Sequence, residues 1–315
     1  AASLMTATVA NAQVTMDWST VGNAGNAADP LTGFGSVGYE YRIGTYEVTN
    51  SQYASFLNSV AASDPKGLYD TRMGSTILGG ITRSGSAGSF TYSVKANMGN
   101  KPVNSVSYYD AARMANWMTN GQGSGGTESG AYTFDGPTSI SAITRDPSNP
   151  NQVFLPTKDE WYKAAYHQPA SEGGDGDDYW LYPTRSNDVP TAASATSTGD
   201  VANPGQDVAN VDRSANWNGT DQTPFGPIGN VTTVGSAEST SFYGAFDMAG
   251  NVSEWNETTS DLSAPISGGS FVGLGSNSRS LVQMSRELFV ADGGAGFRFA
   301  SNIPAPGSVA LVAIG

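Results

Sequence analysis

The 315-residue chain carries 28 acidic against 15 basic residues, a formal charge of −13. That balance disfavours nucleic acid and anionic membranes as partners, since both demand clustered Lys and Arg. It has no cysteine and a single histidine, which excludes disulfides, thiolate nucleophiles, Cys-ligated zinc, iron–sulfur clusters and any two-histidine metal site. Thirty-nine glycines and a 14% charged share describe a loop-rich globule, while six Trp, 14 Tyr and 12 Phe are enough to build a core. Disorder throughout is therefore excluded. The acidic surplus suits hard divalent cations such as calcium, or simply a soluble surface.

Residues 1–12 are small and apolar and close on Ala10-Asn11-Ala12, an A-x-A pattern expected of a signal-peptide remnant, with Gln13 as the mature N-terminus. A lead-in spans 13–37. Tyr41–Val48 alternates and is β-rich, predicting a strand. Thr49 or Asn50 then caps a helix with Tyr53, Phe56, Leu57 and Val60 at helical spacing. Lys101–Val106 reads as a short extended piece and Tyr108–Thr119 as a helix with Ala111, Ala112, Ala115 and Met118 on one side. Thr157-Lys-Asp-Glu160 is a capping box that opens a third helix, carrying Trp161 and Ala165. His167 ends that helix, and with no nucleophile elbow in the chain it reads as a surface or capping residue.

From about 168 to 240 the chain is rich in Gly, Asn, Asp, Ser and Thr without a helical period, so short strands and turns are expected rather than one long loop. No internal repeat or linker interrupts 38–301, which favours one domain. Residues 302–315 place Pro304-Ala305-Pro306 before an apolar run too short to cross a bilayer. They resemble the start of a PEP-CTERM sorting tail. The two ends together predict export from a Gram-negative-type bacterium, secreted or surface-anchored, with membrane contact only through an anchor beyond Gly315.

Six ordered blocks carry a wider resemblance. They are Ile43–Tyr53 (IGTYEVTNSQY), Lys101–Ser107 (KPVNSVS), Phe154–Trp161 (FLPTKDEW), Tyr243–Trp255 (YGAFDMAGNVSEW), Gly268–Phe271 (GGSF) and Gly296–Arg298 (GFR). In that order they resemble the sulfatase-modifying-factor family, which includes the formylglycine-generating enzymes. The resemblance implies an α+β fold, a single compact C-type-lectin-like domain over 38–301 with little regular secondary structure.

It also implies calcium, one or two structural ions. The first would be held by Asp247, the carbonyls of Gly250 and Val252, and Glu254. The second would be held by Asn210 and the Val211 carbonyl, completed by Asn230 and Thr232 from the next loop. Two carboxylates seven residues apart on a glycine-containing loop suit an oxygen-seeking ion, and without one they would repel. The alternative for Asp247 and Glu254 is turn chemistry plus a surface acid.

The copper-binding cysteine pair of the formylglycine-generating enzymes would fall at Gly275 and Ser280, neither of which makes a thiolate. The family's iron-dependent branch needs a histidine cluster that this chain lacks. Copper, iron and zinc are therefore not expected, and oxidase chemistry is expected to be lost.

The resemblance places 270–298 on an exposed ligand face, where apolar residues stand among charges without clear period. Arg279, Leu281, Gln283, Met284, Arg286, Glu287 and Phe289 are the candidate contacts to a protein, peptide or glycan. Packing of these residues into the core is the alternative. Some lectin-like relatives have this stretch rewritten by diversity-generating retroelements. Two further functions stay open: a hydrolase or transferase using carboxylates such as Asp292 or Glu287, and a structural envelope or matrix component.

Overall fold

The computed structural model describes residues 13–303 apart from 222, 223 and 225, so the expected signal remnant and the tail from 304 onward lie outside the described residues. In chain order the first elements are β1 (Trp18–Val21), β2 (Tyr41–Gly44), α1 (Asn50–Val60), α2 (Arg72–Ser75), β3 (Ile81–Ser84) and β4 (Thr91–Val94). Then come α3 (Tyr108–Thr119), β5 (Tyr132–Gly136), β6 (Ser139–Ile143), β7 (Val153–Phe154) and α4 (Lys158–Tyr166). The last are β8 (Thr191–Ala192), β9 (Val208–Ala209), β10 (Ser253–Trp255), β11 (Ser263–Ser267), β12 (Met284–Glu287), β13 (Ala295–Gly296) and β14 (Ala300–Asn302).

Two four-stranded sheets organise these pieces, one ordered β1-β2-β14-β7 and the other β12-β11-β10-β13, with three two-stranded ribbons beside them. The first sheet joins the two ends of the domain. Ala300 lies opposite Ile43, and Trp18 opposite Gly44, so part of the 13–37 lead-in forms an edge strand.

The helices expected over Tyr108–Thr119 and after Thr157 form, and the first helix is capped by Thr49 rather than Asn50. Thr49, Ser107 and Thr157 each accept from the N3 amide, and Gln52, Asp110 and Glu160 return the bond to the cap amide. Each box satisfies two amides that would otherwise be orphaned. Tyr53, Phe56 and Leu57 of α1 and Ala111, Ala112 and Ala115 of α3 are fully buried in the main core, which extends through Trp117, Trp255, Phe297 and Phe299. A second core sets Trp161, Tyr162 and Tyr166 of α4 against Val21, Tyr41 and Ile43.

The strand expected over Tyr41–Val48 stops at Gly44. A Cβ there would lie 2.9 Å from the Tyr46 carbonyl, so the chain bends tightly at this point. The bend sends Glu47 inward (1% exposed), while the Val48 amide bonds to the Phe297 carbonyl at 2.9 Å. Of the two readings of His167, surface or capping residue, capping holds. It is the C-cap of α4, but it is buried rather than on the surface, with Nδ1 2.7 Å from the Tyr243 hydroxyl. Burial pushes its pKa down to about 4, so the ring is neutral near pH 7.

The 168–240 stretch is short strands and turns. β8 and β9 pair in parallel, and side-chain hydrogen bonds hold the loops, such as the Ser194 amide to Asn203 Oδ1 at 2.7 Å and the Thr233 hydroxyl to Asp200 at 2.6 Å. Trp217 anchors the stretch, its indole N–H donating to the Val231 carbonyl at 3.0 Å.

Candidate metal centre and ligand face

Glu254 stands on β10, the strand between β11 and β13, and is 1% exposed. Its Oε2 accepts from Trp161 Nε1 at 2.7 Å and from Arg298 Nε at 2.6 Å, and its Oε1 accepts from the Arg298 Nη2 at 2.6 Å. Arg298 is itself fully buried and donates onward to the carbonyls of Gly44 and Phe246, at 3.0 and 2.8 Å. In this arrangement it is the guanidinium that neutralises Glu254.

Two more carboxylates share this interior. Asp247 accepts the Gly235 amide at 2.5 Å, and burial raises its pKa to about 6 against the help of that bond and of Arg298. Glu47 accepts the Asn251 amide group at 2.9 Å and the Val252 N–H at 3.2 Å. Burial, and then the charges of Asp247 and Glu254, push the Glu47 carboxyl well above the usual range. Three acids thus face one guanidinium, a formal excess of negative charge with little water to screen it. The surface-acid alternative does not hold for either Asp247 or Glu254, since both are buried.

The residues expected to hold a second ion do converge. Asn210 Nδ2 donates to the Asn230 carbonyl at 2.8 Å and to the Thr232 hydroxyl at 3.2 Å. The Val211 carbonyl, by contrast, is engaged by the Ser214 hydroxyl at 2.8 Å. Asn210 Oδ1 is buried with no hydrogen-bond partner among the described residues, the kind of orphaned oxygen a cation would satisfy. Asn251 links the two groups. Its Oδ1 lies 3.2 Å from Asn210 Nδ2 and accepts the Thr232 amide at 2.9 Å, while its Nδ2 reaches Glu47. The Asn251 amide also bonds to the Asn210 carbonyl at 2.8 Å, and the adjacent Gly250 has φ +80°.

Glu47 and Asn251 were not singled out from the sequence. The available signal was a carboxylate inside the β-rich block Tyr46-Glu-Val48 and an amide between Gly250 and Val252, both in stretches whose neighbours are apolar or small. Their meeting across 204 residues is not visible in one dimension.

Gly275 opens a short 3-10 turn over Gly275–Ser278, with its amide on Asp212 Oδ1 at 2.9 Å. Ser280 is buried, its amide on the Leu181 carbonyl at 2.9 Å and its hydroxyl without a hydrogen-bond partner among the described residues.

The candidate ligand face divides. Met284–Glu287 form β12, an edge strand pairing Met284 with Ile266 and Glu287 with Ser263, so this part of the segment alternates where no period was expected. Met284 packs against the main core and Leu288 lies within it. Leu281 and Phe289 point outward, 43% and 64% exposed, together with Val272 and Leu274. Gln283 is exposed and donates to the Ser280 carbonyl; Glu287 is exposed. Arg279 is half-buried with Nε unpartnered among the described residues, and Arg286 pairs with Asp292.

This mixed fold with few helices, built on two small sheets that close around the six sequence blocks, defines the class of protein. The chain belongs to the FGE-sulfatase family: the model of the sulfatase-modifying factor enzyme 1-like domain matches residues 20–303. The fold is similar to the crystal structure of CarF, with 21% identity, 92% of this chain and 99% of that chain covered, and a TM-score of 0.54. Treponema denticola variable protein 1 aligns at 16% identity, covering 93% and 97% of the two chains with a TM-score of 0.45. PvdO from Pseudomonas aeruginosa aligns at 16% identity, covering 91% and 92%, with a TM-score of 0.44. No curated protein matches the sequence.

Proposed function

We propose that this family member is an exported binding protein without oxidase activity, contacting a protein, peptide or glycan through 270–298. One observation carries the reading. Four large apolar side chains of this segment, Val272, Leu274, Leu281 and Phe289, are exposed, while Met284 and Leu288 fasten the same segment to the core. Exposed apolar anchors on a fixed backbone lose little entropy on binding, which suits recognition. Glycine and serine at 275 and 280 offer no soft ligand to copper, which supports the absence of oxidase chemistry.

A calcium role is part of the proposal. Asp247 and the Gly250 and Val252 carbonyls would hold one ion and Asn210 Oδ1 a second, and Glu254 contributes only through lone pairs that Arg298 and Trp161 leave. The unpartnered Asn210 Oδ1 and the excess of buried carboxylate support it. The ion would neutralise charge and fix the loops, taking no part in a reaction.

The test pairs a displayed peptide library with a Leu281→Ser/Phe289→Ser variant whose melting curve matches the parent. The expected result is peptides enriched on the parent and lost on the variant, with no aldehyde formed on a cysteine-containing sulfatase peptide supplied with copper and reductant. Equal enrichment on both proteins would sink the ligand face, and aldehyde formation would restore the enzyme. Calcium chelation should lower the melting temperature by several degrees, and an unchanged curve removes the ion.

A further inference from the structure

A cleft of about 330 Å³ lies between the β5–β6 ribbon and the loop Thr258–Asp261. It shares only Leu288 with the 270–298 segment. Its floor is fixed. Tyr108 and Tyr109 open α3 directly after the Ser107 capping box, with their rings edge-to-face at 6.0 Å. The Tyr108 hydroxyl bridges to the opposite wall, lying 3.4 Å from the Thr258 amide, and the Tyr108 amide is tied to the Leu288 carbonyl at 3.1 Å. The floor is thereby braced against the Thr258 loop, and the Tyr109 ring meets Phe134 of β5 edge-on at 6.3 Å.

The polar groups around this floor have a distinctive chemistry. The hydroxyls of Tyr109, Thr138, Ser139 and Thr259 and the carboxylate of Asp261 have no hydrogen-bond partner among the described residues, although all five residues line one cleft. None of the lining residues is Lys, Arg or His. Phosphate, sulfate or carboxylate ligands would meet an acid and no cation, in a chain that is already at −13. A ligand that fits is not an anion; a neutral one must both donate and accept in several directions and be apolar on one face to lie over Ile140, Ala142 and Ile143, since Tyr108, Tyr109 and Leu288 are buried beneath. A pyranose ring has those properties, with hydroxyls around its rim and a face of C–H bonds. The volume is at the lower end of small-molecule sites, room for one or two sugar rings.

We infer that the cleft floored by Tyr108 and Tyr109 and rimmed by Asp261 binds a neutral saccharide unit. Asp261 accepts from a pair of sugar hydroxyls, the strongest of the contacts because it is ionic. The free hydroxyls of Tyr109 and Thr259 complete the rim, and the apolar side chains of Ile140, Ala142 and Ile143 take the C–H face. The inference goes beyond the 270–298 reading and uses a different surface, so either can fail alone.

The experiment is saturation-transfer NMR and calorimetry on the whole chain with the methyl glycosides of glucose, galactose, mannose and N-acetylglucosamine. Glucose 6-phosphate and tetramethylammonium serve as the anionic and cationic controls. The expected result is transfer to at least one neutral glycoside and none to glucose 6-phosphate. Asp261→Ala, at an exposed position, should weaken binding roughly tenfold or more, and Tyr109→Phe, which keeps the ring, roughly threefold. Leu281→Ser/Phe289→Ser should leave it unchanged. Transfer to none of the four glycosides, equal affinity in Asp261→Ala, or binding of tetramethylammonium in preference to every sugar would each overturn the inference.

Discussion

Glu254 and Arg298 form a two-pronged ion pair, both N–O distances 2.6 Å, with side chains 1% and 0% exposed. The pair joins two of the six sequence blocks, and through the Gly44 carbonyl it reaches the strand that begins a third. A buried pair is weak evidence of net stabilisation, because desolvating two charges offsets much of their attraction. Its geometry nonetheless fixes how β10, the end of β2 and the C-terminal strand meet.

Removing one partner is therefore the costly change. Arg298→Met leaves three buried carboxylates without a cation and should destabilise the fold by about 3–5 kcal/mol. Adding Glu254→Gln should recover a substantial part of that loss. Urea denaturation of the two variants checks it, and a double variant no better than the single one would mean that packing, not charge, sets the cost.

Asp247 gives a dependence on pH. Its carboxyl rises from 3.8 to about 6 on folding. The native state then holds this proton more tightly than the unfolded chain, so the contribution is favourable below about pH 4 and is lost as pH rises to about 6. In chelator, Asp247→Asn should remove this slope and stabilise the protein near pH 7 by up to about 3 kcal/mol. In millimolar calcium the same substitution should destabilise it. Melting curves in both buffers decide, and the same sign in both would show that Asp247 does not bind the ion.

Ser107 holds the first turn of α3, with its hydroxyl 3.2 Å from the Asp110 amide. Ser107→Ala should cost about 1 kcal/mol, read from the denaturation midpoint. The same variant tilts the Tyr108–Tyr109 floor, so any ligand of that cleft should weaken with it.

Gly250 sits at φ +80°, and an added Cβ would lie 2.3 Å from the Asn210 carbonyl. Gly250→Ala should cost roughly 3 kcal/mol or more, since backbone strain and a clash with backbone coincide. Near-UV circular dichroism and thermal melting would show it. A variant that melts like the parent would mean the 210 and 250 loops can part freely.

Local signals were the legible ones. The Thr157–Glu160 capping box set the helix start at Lys158, because cap and N3 residue lie three positions apart and need nothing else to find each other, while the equivalent pairs Thr49–Gln52 and Ser107–Asp110 emerged only in the structure. The order of the six blocks likewise pointed to the α+β family fold. The absence of cysteine excluded thiolate ligands and disulfides by composition alone.

Tertiary structure decided what those blocks do together. Glu254 was legible as a carboxylate but not as the partner of Arg298, and Glu47 passed as one acid in a strand until the bend after Gly44 carried it inside. His167 was buried by Tyr243, 76 residues further on. The division of 270–298 into anchored Met284 and Leu288 and exposed Leu281 and Phe289 came from β12 pairing with β11. In each case the deciding energy is burial, and burial depends on contacts between segments whose separation along the chain leaves no periodic trace in the sequence.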